Sequence, residues 1–398
     1  MMKENKIPKL SNKVKISPFD DNQFVVTNEE LGYNLKINLE TKNVLSKVDG
    51  KKTLKEIYFE IGNKTITLES LYDLLYLKLG KYGIIESDIT KLEKIGKPKY
   101  LKLSFTLLKA KNINPIIKLL SPLISLKYFY IILIINIMVV SIIFFLNISS
   151  VEKNVDSSGY LQWLSLILLS GFSLFLHEFG HATACKIFGA KHGDIGFGFY
   201  LLSPAMYADV SNIWTIERKK RIIVNFSGIY MEAMFASFLS LTFLVFENPF
   251  ILTFCGIIIL SILGNLNPFF RYDGYWIATD LFKVPNLRSE SNMVFKNFFS
   301  RKLHLSQMSL RLKLLALYGF LSNILIFVFI TYIILIDPLG LINFPIEFYQ
   351  YIMSITFGEE TFIFSSLYKF LLPGIFYFIV GKLFFSFMLG LRKKLKGN

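Results

Sequence analysis

Residues 160–188 read YLQWLSLILLSGFSLFLHEFGHATACKIF, and the architecture turns on this 29-residue run. It is apolar apart from His177, Glu178, His181, Lys186 and a few small polar or amide side chains. An apolar stretch of about 20 residues spans the hydrocarbon core of a bilayer, so the run predicts a transmembrane helix. Outward from it, five more stretches qualify: roughly 128–146, 222–246, 249–268, 314–336 and 368–390. The fold class expected is a polytopic α-helical membrane protein of about six spans, with 128–398 as its membrane domain. Composition points the same way. Apolar residues make up 53% of the 398-residue chain and charged residues 18%, where soluble domains carry about 25% charged. That excludes a disordered chain and an ordinary cytosolic enzyme. Cys185 and Cys255 form no spaced pattern, which excludes a disulfide framework.

The loops share Lys and Arg unequally. Loop 147–159 has Lys153 alone, and the turn at Glu247 and the stretch 337–367 have none. The opposite set carries Arg218, Lys219, Lys220, Arg221, Arg271, Lys283, Arg288, Lys296, Arg301 and Lys302, with Arg392, Lys393 and Lys394 in the tail. Positive loops stay in the cytoplasm, so both termini are expected inside. Nothing behind Met1 reads as a signal peptide. The excess of 37 Lys over 7 Arg hints at an AT-rich bacterial genome. The location expected is therefore a bacterial plasma membrane.

Residues 1–93 read as a separate cytoplasmic unit. Leu35, Ile37 and Leu39 alternate with Lys36 and Asn38, the pattern of a half-buried strand. Val44, Leu45 and Val48 then stand at helical spacing, Thr53 with Glu56 forms a capping box, and Leu68, Leu71, Tyr72, Leu75 and Leu79 line a third helix closed by Gly80 and Gly83. A small α+β, winged-helix-like domain is predicted. From Lys94 to Lys127 there are eight Lys and no acid. Beside a membrane span such a stretch is drawn to anionic lipid by about 1 kcal/mol per Lys, so 94–127 reads as a basic linker, with Asn112 to Ser125 lying in the interface. A basic region can also bind nucleic acid; here the adjacent bilayer satisfies the charge, and no nucleic-acid partner is expected.

Chemistry concentrates at His177-Glu178-Phe179-Gly180-His181. Residues four apart share a helix face, so both imidazoles can bind one Zn²⁺, with Glu178 beside it as a proton acceptor. Only four His exist in the chain and two are here. Ionisable groups inside a membrane span are costly and mark function. Catalytic zinc takes a third protein ligand, and Asp194, Asp209, Glu217, Glu232, Glu247, Asp273, Asp280, His192 and Cys185 are all open. Depth ranks them. His177 lies 17 residues into its helix, roughly 26 Å at 1.5 Å per residue, near the cytoplasmic side. Glu247 sits at the far end, whereas Asp273 follows the inner end of the fourth span.

Around that aspartate the chain reads Asn265-Leu266-Asn267-Pro268-Phe269-Phe270-Arg271-Tyr272-Asp273-Gly274. An HExxH on a transmembrane helix followed by NxxPxxxxDG at the end of a later one resembles the site-2 protease family of intramembrane zinc metallopeptidases, over roughly residues 160–282. The resemblance implies that His177, His181 and Asp273 hold zinc, that Glu178 is the catalytic base, and that Asn265 helps hold the substrate backbone. It also implies that the Gly-punctuated stretch from Gly196 to Val210, turning at Ser203-Pro204, is a membrane-dipping β-hairpin whose edge pairs with extended substrate, making Gly198, Tyr200, Pro204 and Tyr207 substrate-binding candidates. The third span departs from the family pattern: Gly228-Ile229-Tyr230-Met231-Glu232 stands where many members have a Gly-Pro-x-x-Asn-like sequence. No PDZ-like insertion follows the hairpin, unlike the stress-response branch. The front domain is similar to PqqD-like domains, which bind leader segments of ribosomally made peptides.

These readings combine into one expectation: an intramembrane zinc endopeptidase that cleaves a small ribosomally made peptide precursor in peptide maturation or export. Its partners would be a leader-bearing peptide, the lipid bilayer, a peptide-modifying enzyme and a transporter. Two other readings remain at this point. One is regulated proteolysis of a membrane-anchored regulator; the other is a non-catalytic peptide-binding, immunity or export-assisting membrane protein.

Overall fold

A computed structural model describes residues 3–20, 22–28, 30–31, 33–62, 66–86, 92, 101–124, 126–155, 160–200, 203–284, 286–300, 304, 306, 308–357, 370, 372–381, 384–385 and 388. The start of the basic linker, Arg301, Lys302, much of the predicted sixth span and the cationic tail lie outside them. The chain divides into two units, residues 1–285 and 286–398.

In the first unit, β1 (Val14–Asp20), β2 (Gln23–Asn28) and β3 (Tyr33–Asn38) form an antiparallel meander in that order. Three short helices follow: α1 (Leu39–Ser46), α2 (Leu54–Ile61) and α3 (Leu68–Tyr72). The Thr53–Glu56 capping box forms: the Glu56 amide donates to Thr53 Oγ1 at 3.3 Å, and the Thr53 amide donates to Glu56 Oε2 at 2.7 Å. Val26, Leu45, Leu54, Ile57, Leu71 and Leu75 are fully buried between sheet and helices. Gly83 takes φ +65°, where any side chain would be strained and would meet Leu31 and Asn28.

The stretch read as a linker does more than connect. Leu101–Leu108 forms β4, and Ala110–Leu120 forms α4, whose Ile113 and Ile117 are fully buried against Phe179, Ala182 and Ile195. Asp194 Oδ1 accepts the Ala110 amide at 2.8 Å and so caps α4. β4 pairs with β5 (Ile195–Tyr200), which pairs with β6 (Ser203–Ala208), giving a three-stranded antiparallel sheet with β5 in the centre. Tyr200 pairs with Ser203, so the hairpin connection is 201–202, outside the described residues, and not Ser203-Pro204, which lie in the strand. The Pro204 signal misplaces the turn because a proline at the start of an edge strand sacrifices no ladder hydrogen bond.

Among the described residues four helices are long and apolar enough to cross a membrane: Phe129–Leu146, Leu164–Ile187, Arg218–Phe246 and Leu310–Ile336. The first is α5; α6 is the short Ile148–Val155, α7 is Tyr160–Ile187 and α8 is Arg218–Phe246. On α5, Ile131, Ile134, Ile135, Met138 and Ile142 all face outward, a surface that lipid accepts and water does not. α9 (Pro249–Asn265), read as the fourth span, is 17 residues long, and 372–381 within the predicted sixth is shorter still. α7, α8 and α9 pack around Ala184, Val224, Ile229, Ala233, Ala236, Phe254 and Cys255. α10 (Asp273–Phe282) then docks on α8 through Asp280 and Arg221, and its start abuts the end of α9, where Gly274 has no room for a side chain against the Leu266 carbonyl.

In the second unit, α11 (Leu287–Phe299) packs on α12 (Leu310–Ile336), where Gly319 crosses the Ser291 carbonyl and Asn323 Nδ2 donates to Asn292 Oδ1 at 3.0 Å. α13 (Pro338–Thr356) follows, its first turn capped by Asp337 Oδ1 on the Gly340 amide at 2.8 Å. The region 337–367 reads as a loop from its lack of Lys and Arg, but Leu341, Phe344, Phe348 and Tyr351 stand at helical spacing.

Candidate metal centre

α7 carries His177 and His181 on the face turned to α8, and both are buried. The helices approach closely because glycine faces them from each side: a Cβ on Gly180 would fall on the Ser227 carbonyl, and one on Gly228 would stand 2.5 Å from both imidazole Nε2 atoms. α10 brings Asp273 to the same point from its first turn. His177 Nε2 lies 3.1 Å from His181 Nε2 and 3.0 Å from Asp273 Oδ2, and His181 Nε2 lies 3.3 Å from that oxygen.

The opposite edges of the rings determine what these atoms are. His181 Nδ1 meets the Val224 carbonyl at 2.8 Å, and a carbonyl only accepts, so Nδ1 carries the proton. His177 Nδ1 meets Glu232 Oε2 at 3.1 Å in the same sense. In neutral rings both Nε2 atoms then present lone pairs towards Asp273. Asp273 Oδ2 is buried and finds no hydrogen-bond donor among the described residues. Three lone-pair atoms facing one another repel unless a cation stands between them. A tetrahedral ion with 2.0–2.1 Å bonds to N and O separates its ligands by roughly 3.3–3.4 Å, close to the spacings here. The donor set of two imidazoles and a carboxylate suits Zn²⁺. The residues fit the ion.

Glu178, one residue on from His177, is buried and is approached by the backbone amide of Ala208 at the end of β6. β6 thus runs out beside the metal centre, and on its other edge no strand pairs with it among the described residues. Of the hairpin candidates, Gly198 lies opposite Ala205, and Tyr207 opposite Gly196, whose missing side chain leaves space for the phenol. Tyr200 and Pro204 are strand residues whose side chains lie outside the described set. Asn265 closes α9, and its backbone carbonyl stands 3.0 Å from where a Cβ on Gly274 would be. No hydrogen bond links its side chain to the metal cluster among the described contacts.

The other ligand candidates are placed elsewhere. Asp194 caps α4, Asp209 Oδ1 accepts from Ser211 at 2.6 Å, Glu217 pairs with Lys220 at 3.7 Å, and Asp280 pairs with Arg221 at 2.7 Å. His192 Nε2 lies 3.3 Å from Asn114 Oδ1, Cys185 is a packing residue in the helix core, and Glu247 caps the far end of α8. Glu232 is no ligand of the cluster either. It bridges His177 to Ser261, whose hydroxyl donates to Oε1 at 2.9 Å. A carboxylate on the far nitrogen of a ligating histidine fixes its tautomer and raises its basicity. Sequence reasoning left Glu232 unassigned and missed Gly228. Both stand four apart on α8, the same interval as the two histidines they face, and that match was the available signal.

The chain is similar to a protein of Bacillus subtilis (strain 168) named "Putative peptide zinc metalloprotease protein YydH", 25% identical over 202 residues, which is 50% of this chain and 79% of that protein. No protein-family profile and no solved structure matches the chain.

Proposed function

We propose that this chain is an intramembrane zinc endopeptidase of site-2 protease type, acting on a small ribosomally made peptide precursor or a membrane-associated peptide during maturation or export. The observation that carries the reading is the triangle of His177 Nε2, His181 Nε2 and Asp273 Oδ2 where α7, α8 and α10 meet, with Glu178 next to it. Similarity to a protein named as a peptide zinc metalloprotease supports it. His177, His181 and Asp273 would hold zinc, which when bound would supply Lewis acidity towards a scissile carbonyl and water. Glu178 then takes a proton from the attacking water and returns it to the leaving amine. Its burial keeps it from bulk solvent, and the Ala208 amide lies beside it.

The edge of β6 that pairs with no strand among the described residues runs out beside Glu178, so an extended peptide added there as a strand would bring its amides past the base. Unwinding is required because a helical substrate hides its peptide bonds in its own hydrogen bonds. Asn265, Gly198, Tyr200, Pro204 and Tyr207 are assigned to holding that strand. The chain sits in a bacterial plasma membrane with six spans and both termini in the cytoplasm, 249–268 and 368–390 being the two added to the four long apolar helices. Residues 1–93 capture the leader of the precursor, and a peptide-modifying enzyme and a transporter work beside the protease; nucleic acid has no part. Glu178→Gln tests the reading. The full chain should keep zinc and bind the precursor encoded beside its gene, while cleavage falls by about 10²–10⁴-fold, the usual contribution of a positioned acid–base group. Wild-type turnover in that variant would remove Glu178 as the base.

A further inference from the structure

We propose that Arg221 and Asp280 are positioning residues for Asp273, and that Phe19 of the N-terminal domain completes their setting, so that the seating of this domain bears on the metal centre itself. The inference rests on the reading of that centre as a zinc site. Arg221 counts in the sequence as one of four clustered cytoplasmic charges, but in the fold it is 1% exposed. Its Nε and Nη2 donate to Asp280 Oδ1 at 2.8 and 2.7 Å, and its Nη1 donates to the Ile216 carbonyl at 2.9 Å. The guanidinium carbon lies 4.3 Å from the Phe19 ring centre and 5.4 Å from that of Trp214, and the two rings are 5.6 Å apart. Phe19 comes from β1, and Trp214 from the turn Ser211–Thr215 that leads into α8. Asn34 on β3 donates to the Ser211 carbonyl at 3.2 Å, a second tie between the same two regions.

Asp280 stands seven residues after Asp273, two turns along one face of α10. That face therefore carries two carboxylates: Asp273 turned to the histidine pair of α7, and Asp280 turned to Arg221 of α8. Gly274 seats the start of the helix on the Leu266 carbonyl. With its far end held by Arg221, α10 cannot pivot about that contact, and the Asp273 oxygen keeps its place in the triangle. A buried ion pair is retained where its geometry and further hydrogen bonds offset desolvation, and an aromatic face over a guanidinium adds attraction when water is excluded. Phe19 supplies that cover from a different domain. The domain assigned to peptide capture is thus also part of the support of the metal ligand.

The test uses the full chain in nanodiscs, with zinc affinity read by chelator competition and ligand geometry read by the visible spectrum of the cobalt-loaded protein. Asp280→Asn and Arg221→Lys should each weaken zinc binding by about tenfold or more, the range for residues that support metal ligands, and should alter the cobalt bands. Phe19→Ala, which leaves no buried charge unpaired and keeps the helices intact, should shift both readouts in the same direction. Thr53→Ala, which loosens the same domain at the α2 cap shared with Glu56, should shift neither. Unchanged zinc affinity in either Asp280→Asn or Phe19→Ala overturns the proposal, as does an equal loss in Thr53→Ala. Absence of zinc from the wild-type chain would instead overturn the metalloprotease reading beneath it.

Discussion

Gly228→Ala is a one-methyl change with a large expected effect. An added Cβ would stand 2.5 Å from His177 Nε2, 2.5 Å from His181 Nε2 and 2.7 Å from His177 Cδ2. Non-bonded heavy atoms rest near 3.5–4.0 Å, so about 1 Å must be found. Neither ring is the free end of a flexible side chain. Each is held at Nδ1, one by Glu232 and the other by the Val224 carbonyl. Relief requires the rings to swing off those partners or α8 to withdraw, and either opens the triangle that Asp273 completes. A displacement of this size in a catalytic constellation costs on the order of 100-fold in turnover, and zinc affinity should fall at least about tenfold. Gly171→Ala is the matched control. It lies on α7, and beyond the helix's own backbone no atom of the described residues stands within 4 Å of its added Cβ. Helix propensity alone favours alanine over glycine by about 0.8–1.0 kcal/mol at either site. Zinc titration and thermal melting of both variants in nanodiscs separate the effects. If Gly228→Ala binds zinc like the wild type and melts no lower than Gly171→Ala, the close crossing of α8 under the histidines is not what shapes the centre.

Glu232→Gln keeps an acceptor for His177 Nδ1 but removes its charge, and should lower zinc affinity by about 10–100-fold, read by chelator competition; no change would mean that the carboxylate only fills space. Ser261→Ala should move the same readout by a smaller factor, because Glu232 keeps its bond to His177. Thr53→Ala removes the helix cap of α2 and should destabilise the N-terminal domain by about 1 kcal/mol, seen as faster amide exchange in residues 54–61 of the full chain, with zinc binding unaltered.

What the sequence discloses about this site is uneven for physical reasons. His177, Glu178 and His181 lie within one helical turn, so spacing alone places them on neighbouring faces. Asp273 could be ranked by depth, since spans of similar length carry their ends to similar levels. Glu232 could not be placed, because a lone carboxylate in an apolar helix can face any neighbour and the answer depends on how α8 rotates against α7. Gly228 carries no chemistry of its own and matters only through the helix that crosses it. Arg221 misled: beside Arg218, Lys219 and Lys220 it looks like a topology signal, yet Asp280, 59 residues on, buries it. In the fold, β4 lies inside the stretch whose lysines read as a linker, although Leu101, Leu103, Phe105 and Leu107 alternate with Lys102, Ser104 and Thr106 as a strand does. Leu103, Phe105 and Leu107 remain exposed, so that alternation marks a strand without a core to bury its apolar face. The capping box at Thr53 and the αL glycine Gly83 were legible because they depend only on their immediate neighbours, whereas Gly80, read beside it as a stop, keeps helical backbone.

The central claim is a zinc ion held by His177, His181 and Asp273, and elemental analysis of purified full-length protein tests it most directly. The wild type should contain about one zinc per chain, since a single tetrahedral site takes one ion. Asp273→Ala and His177→Ala should each lose most of it under the same chelator wash while keeping their helical content. A wild type without zinc, or an Asp273→Ala variant with full occupancy, would contradict the account.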